Sequence, residues 1–173
     1  MKKVIIIGCP GSGKSTFGRK LKEMTGLPLY HLDMLFWNED KTTVSKEVFR
    51  NRLQEVMNGS RWIIDGNYGS TMEWRLRECE TVFFLDYPTE VCLEGIEARK
   101  GILRSDMPWV NDDDTDREFV AFVKNFNTES RTKIIELLQQ YSSKNVIVFH
   151  SREESEKFLK ENFGNETISN IKK

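Results

Sequence analysis

Gly8-Cys9-Pro10-Gly11-Ser12-Gly13-Lys14-Ser15, followed by Thr16, reads G-x-x-x-x-G-K-S. Glycines at this spacing let the backbone turn tightly, so successive N–H groups point at one anion, and the helix that opens next adds the partial positive charge of its N-terminus. A lysine at position 14 then reaches the β/γ-phosphates of a nucleoside triphosphate, and the Ser15 hydroxyl can hold Mg²⁺. The flanks agree with this reading. Val4-Ile5-Ile6-Ile7 is an unbroken β-branched run, as in a buried parallel strand, and Lys14 to Met24 reads as a helix. Gly8, Pro10, Gly11, Ser12, Gly13, Lys14, Ser15 and Thr16 are therefore the candidate ATP-binding loop.

The 173 residues suit a single domain over 1–163 with a polar, frayed tail over 164–173. The formal net charge is −1, so no global field draws the chain to nucleic acid or an anionic membrane, and direct nucleic-acid binding is not expected. No segment approaches the ~20 apolar residues of a membrane span. The run after Met1-Lys2-Lys3 passes into the phosphate loop too soon for a signal peptide. Cys9, Cys79 and Cys92 form no C-x-x-C pair and no metal spacing with His31 or His150, which fits reduced thiols in the cytoplasm.

Beyond the first helix, Thr25-Gly26 is a stop signal and Leu29-Tyr30-His31-Leu32 reads as a short strand ending at Asp33. Ser45 caps a helix whose face is Val48, Phe49, Leu53, Val56 and Met57. Trp62-Ile63-Ile64 is a third strand ending at Asp65, and Ser70-x-x-Glu73 fits a capping box for a helix carrying Arg75 and Arg77. Thr81 to Leu85 is a fourth strand ending at Asp86, followed by a helix of about 14 residues opened by Pro88 and Glu90. Asn111 to Asp114 reads as a solvated loop, and Thr115-x-x-Glu118 opens further helix. Val146 to Phe149 is the fifth strand, and Ser151-x-x-Glu154 caps the last helix. Strands alternating with helices make a parallel sheet with helices on both faces, and ligands of such sheets sit outside the carboxyl ends of the strands.

Asp33, Asp65, Asp86 and His150 all fall at those ends. Phosphoryl transfer requires Mg²⁺ beside the loop and a group that addresses the acceptor hydroxyl. Asp65 is the expected metal residue with Ser15, because the glycine after it leaves room for phosphate. Asp33 is the expected catalytic and substrate-binding carboxylate, and Asp86 serves the start of the next helix. His31 reads as a satisfied core histidine. Arginine offers planar donors to a transferring phosphoryl group. Arg104 and Arg131 are the expected catalytic arginines beside Lys14, with Arg99 on the nucleotide. Arg75 is placed on an acceptor phosphate, and Tyr68, like Trp37 and Trp109, on a base.

The phosphate loop, His31-Leu32-Asp33, the stretch Trp62 to Tyr68 and Arg104-Ser105-Asp106-Met107 together resemble the adenylate-kinase-like bacterial proteins labelled DNA topology modulation proteins. The resemblance implies a three-layer α/β P-loop fold of the nucleoside-monophosphate-kinase type, with a five-stranded parallel sheet in the order 2-3-1-4-5. It also implies an acceptor-binding segment near residues 33–60 and a lid near 100–126. Asp65-Gly66 matches the Asp-Gly turn of adenylate kinases, but Asn67-Tyr68 stands where Phe-Pro-Arg usually follows. Either Arg75 replaces the missing arginine or the acceptor is not AMP. The expected activity is a Mg²⁺-dependent, ATP-using kinase of a small acceptor, a nucleotide or nucleoside foremost. The alternatives are a kinase of a non-nucleotide metabolite and a nucleotide-responsive regulator linked to DNA topology.

Overall fold

In the computed structural model, which describes residues 1–109 and 117–164, the elements run β1 (Lys3–Gly8), α1 (Lys14–Thr25), β2 (Leu29–His31), α2 (Leu32–Phe36), α3 (Lys46–Met57) and β3 (Trp62–Asp65). They continue as α4 (Gly69–Glu78), β4 (Thr81–Leu85), α5 (Thr89–Glu97), α6 (Arg117–Gln140), β5 (Asn145–Phe149) and α7 (Arg152–Phe163). The five strands form one sheet in the order β2-β3-β1-β4-β5, and every pairing is parallel. The expected α/β class and strand order are both observed.

The three central strands explain themselves. β3 and β4 are buried at every position, as is β1 from Val4 on, so both faces of the sheet must be covered. An unbroken apolar run meets that demand where an alternating one would not. Each fully buried Ile, Phe or Trp here contributes about 1.5–3 kcal/mol through area removed from water. Phe17 of α1, Phe83 of β4 and Phe158 of α7 gather with Phe149 into one aromatic cluster, with Phe17–Phe83 and Phe83–Phe158 centroids 5.0 and 5.5 Å apart. This cluster fastens α1 and α7 to the sheet beside the phosphate loop.

Local signals hold at several boundaries. Ser45 Oγ accepts the Val48 N–H at 3.2 Å, and Ser151 Oγ accepts the Glu154 N–H at 3.2 Å. The Gly26 N–H closes α1 on Lys22 O at 2.8 Å. Other boundaries need correction. β2 ends at His31, and Asp33 stands in the first turn of α2, because Leu32, Leu35 and Phe36 have the i, i+3, i+4 spacing of a helix rather than strand alternation. α4 begins at Gly69 with Tyr68 at its N-cap, so the Ser70 capping box does not form. α5 ends at Glu97, short of the expected 14 residues, and α6 runs unbroken to Gln140. The Asp112–Asp114 run, the Thr115 half of the capping box and the tail from residue 165 lie outside the described residues.

The loop itself is seated by contact between backbones. A Cβ placed at Gly11 (φ +84) would lie 2.0 Å from Cys92 O, and one placed at Gly95 would lie 2.0 Å from Gly11 O. Gly→Ala within a helix ordinarily stabilises by about 1 kcal/mol. Gly95→Ala is expected to do the reverse, lowering the melting temperature and weakening ATP binding together. A thermal melt with a nucleotide titration checks this; a raised melting temperature would refute it.

Candidate active site

The sheet register builds the site before any side chain is considered. Ile6 pairs with Asp65, His31 pairs with Asp65, and Gly8 pairs with Leu85. The phosphate loop, which starts two residues after Ile6, is thus beside the end of β3. Ser15 Oγ donates to Asp65 Oδ2 at 2.7 Å, and His31 Nδ1 contacts the same oxygen at 2.8 Å. Asp65 is 4 % exposed and its Oδ1 is buried without a hydrogen-bond partner. That orphan oxygen beside a serine hydroxyl suits a hard cation, so Ser15 and Asp65 fit the Mg²⁺ that phosphate loops of this type use.

Lys14 Nζ donates to Gly8 O and Cys9 O, each at 3.0 Å, so the ammonium lies across the loop's own carbonyls. Burial lowers its pKa, opposed by the charges of Asp65 and Asp33. Asn67 fixes the start of the loop from the turn after β3: its amide donates to Gly8 O at 2.7 Å and its Oδ1 accepts the Gly8 N–H at 3.0 Å. Asn67 carried no expected role. Two polar groups aimed at one backbone residue cannot be read from a sequence.

A cavity of about 330 Å³ opens beside the loop, lined by Gly13, Lys14, Ser15, Thr16, Arg99 and Arg104 among others. The structure therefore brings Arg99 and Arg104 to the loop. Burial pushes the Arg99 guanidinium down to about 10, its Nε lacks a partner, and it lies 5.8 Å from the Phe119 ring centroid. Arg104 grips both carboxylate oxygens of Asp106 along one edge of its guanidinium, with Nε to Oδ1 at 3.1 Å. Asp106 is only 2 % exposed. Burial would raise its pKa, but Arg104, Ser15 and His31 outweigh that and hold the carboxyl at about 2.

Two arginines sit elsewhere than expected. Arg75 is 0 % exposed, and its guanidinium donates to Gly66 O at 2.9 Å, to Asn67 O, and to Tyr68 O at 3.3 Å. It is turned inward as a brace for the Asp65–Tyr68 turn and does not present its head to an acceptor. Arg131 makes a two-pronged ion pair with Asp86 at 2.6 and 2.7 Å, in a separate depression with Asn127 and His150. The carboxylate expected only to start a helix thus holds an arginine expected to be catalytic.

Tyr68 has φ +36, a left-handed conformation that costs a non-glycine residue about 1–2 kcal/mol. The strained turn aims its hydroxyl at Asp33 Oδ1, 2.6 Å away. Burial raises the Asp33 pKa, with the Tyr68 hydrogen bond acting in the opposite direction. Phe36 and Phe49 flank the Tyr68 ring with centroids 5.1 Å away, and Trp37 packs on Trp109 at 5.1 Å. The three rings proposed for base stacking are thus in contact with other aromatic side chains.

A parallel sheet in the order 2-3-1-4-5 with a phosphate loop after its first strand defines the kinase-like class of P-loop nucleotide-binding domains. The chain belongs to the AAA domain family, whose model matches residues 4–107. It is similar to the adenylate kinase of Thermotoga petrophila, 30 % identical over 94 residues that make up 53 % of this chain and 42 % of that one. It is also similar to the shikimate kinase of Rhodococcus jostii, 30 % identical over 98 residues, or 49 % of this chain and 58 % of that one. The matches thus span less than two thirds of these relatives' lengths. Among solved structures, shikimate kinase from Acinetobacter baumannii in complex with shikimate shares the fold, with a TM-score of 0.59 at 17 % identity over 100 % of this chain and 96 % of that one. No helix among the described residues is long and apolar enough to cross a membrane.

Proposed function

We propose that the chain transfers the γ-phosphoryl group of ATP to the hydroxyl of a small acceptor. The observation that carries this reading is the Lys14–Ser15–Asp65 constellation at the mouth of a cavity that also holds Arg99 and Arg104. The loop amides and Lys14 bind the β/γ-phosphates, and Arg99 and Arg104 supply planar donors around the transferring group. Mg²⁺ held by Ser15 and Asp65 would neutralise charge on the phosphate oxygens. Tyr68 donates to one oxygen of Asp33 and orients that carboxylate. The acceptor oxygen bonds to the γ-phosphorus as the bond to the β–γ bridging oxygen breaks; ADP leaves, and the acceptor proton passes to Asp33.

The relatives include an adenylate kinase and a shikimate kinase, so the acceptor class is argued from the chain's own residues. With Arg75 braced inward, the expected phosphate-gripping arginine is absent from that position. We therefore place a neutral hydroxyl compound, such as a nucleoside, ahead of a nucleoside monophosphate. A regulator of DNA topology is not favoured, because the relatives are kinases. Labelled ATP offered with nucleotides, nucleosides and hydroxy acids tests the proposal; no labelled product together with no ATP binding would refute it.

Asp33 gives the pH dependence its sign. Protonated Asp33 cannot accept the acceptor proton, so the rate rises with pH along an acid limb. Because burial displaces the carboxyl upward, that limb lies above the ordinary 3.8. Asp33→Asn is expected to lower kcat by roughly 10²–10⁴-fold and to abolish the limb. A pH–rate profile of both proteins checks it.

A further inference from the structure

We propose that His31, Asp65 and Asp106 form a protein-ligated site for a divalent transition-metal ion of the Mn²⁺/Zn²⁺ type, which binds without nucleotide. This goes beyond the kinase reading, where Mg²⁺ arrives with ATP on Ser15 and Asp65. Among the described residues, one ligand atom from each of the three side chains lies within 4.8 Å of the others. Their origins are independent. His31 and Asp65 are brought side by side by the β2–β3 register, while Asp106 comes from the segment after α5.

Hydrogen bonding separately points to a ligand. Asp65 is 4 % exposed, yet its Oδ1 has no partner, although buried carboxylate oxygens are nearly always satisfied. Its Oδ2 is shared between Ser15 Oγ at 2.7 Å and His31 Nδ1 at 2.8 Å. Imidazole and carboxylate ligands stand about 2.0–2.2 Å from such an ion, which places neighbouring ligand atoms about 3.0–3.4 Å apart. The His31–Asp65 pair needs to open by only a few tenths of an ångström. The imidazole sets the class of ion: Mg²⁺ takes oxygen ligands and keeps its waters, whereas Mn²⁺, Co²⁺ and Zn²⁺ accept ring nitrogen. The ion competes with Arg104 for Asp106, so its binding releases that guanidinium toward the cavity.

The test uses the full chain, stripped with chelator and free of nucleotide. Mn²⁺ is titrated in while free Mn²⁺ is followed by electron paramagnetic resonance. The expected result is a single equivalent bound, displaced by Zn²⁺ and not by equimolar Mg²⁺, with imidazole nitrogen hyperfine coupling in the pulsed spectrum. His31→Gln is expected to remove the coupling and weaken binding at least ~10-fold, and Asp106→Asn to weaken it comparably while keeping the coupling. Circular dichroism confirms folding, and His31→Gln and Asp106→Asn report independently, so loss of one fold leaves the other test standing. Mn²⁺ binding that requires ATP, a wild-type spectrum without nitrogen coupling, or displacement by equimolar Mg²⁺ would each overturn the proposal. Binding of an ATP analogue with Mg²⁺, measured separately, reports on the kinase reading alone.

Discussion

Lys14→Met is expected to lower phosphoryl transfer by roughly 10²–10³-fold, the loss typical when one preorganised donor to developing charge is removed. Lys14 Nζ lies 3.0 Å from Gly8 O and from Cys9 O, across the loop's own carbonyls. An entering phosphate draws the ammonium from those carbonyls, and methionine has nothing to offer it. The fold should tolerate the change. Burial already disfavours the charged form, so removing it relieves a desolvation cost that offsets the two lost hydrogen bonds. The melting temperature is therefore expected to move by no more than about 3 °C. A coupled ADP-release assay beside a thermal melt checks both halves, and an unchanged rate would remove Lys14 from the chemistry.

Arg75→Met is expected to show the opposite pattern. The guanidinium satisfies the carbonyls of Gly66, Asn67 and Tyr68 at a position with no exposed surface. Methionine fills some of the volume and leaves the Gly66 and Asn67 carbonyls without that donor, while Tyr68 O keeps the Thr71 N–H and hydroxyl. The cost is about 3–5 kcal/mol, which lowers the melting temperature by roughly 10 °C in a domain of this size. Arg75→Lys keeps the charge, but one ammonium cannot span the acceptors, so it also loses stability, though less. A residue that gripped the acceptor would behave differently, raising KM for the acceptor at an unchanged melting temperature. The two measurements together decide between brace and grip.

These two residues also mark how far the sequence could be read. Lys14 was legible because the chemistry of a phosphate loop is local: eight consecutive residues, a strand before and a helix after. The position of Asp65 at a strand end followed from the apolar run before it, and the strand order from the resemblance alone. Arg75 was misread because an arginine at a helix position is charged in either orientation, and only packing decides whether its head faces a ligand or three backbone carbonyls. Arg131 was given the wrong partner because Asp86 lies 45 residues away in sequence, with α5 between them. His31 and Asp106 were passed over for a related reason. Each looks ordinary alone, and the parallel register and the segment after α5 bring them to Asp65.

The contact between Gly11 and Gly95 has a mechanical meaning. A joint between two backbones has no side-chain cushion, and rotamer changes cannot absorb movement there. α5 is therefore held against the phosphate loop through its last two turns, the last of which leads directly on to Arg99 and Arg104. The position of the Gly11 carbonyl in the nucleotide's cradle and the point from which the Arg99 segment departs are set by one and the same close approach.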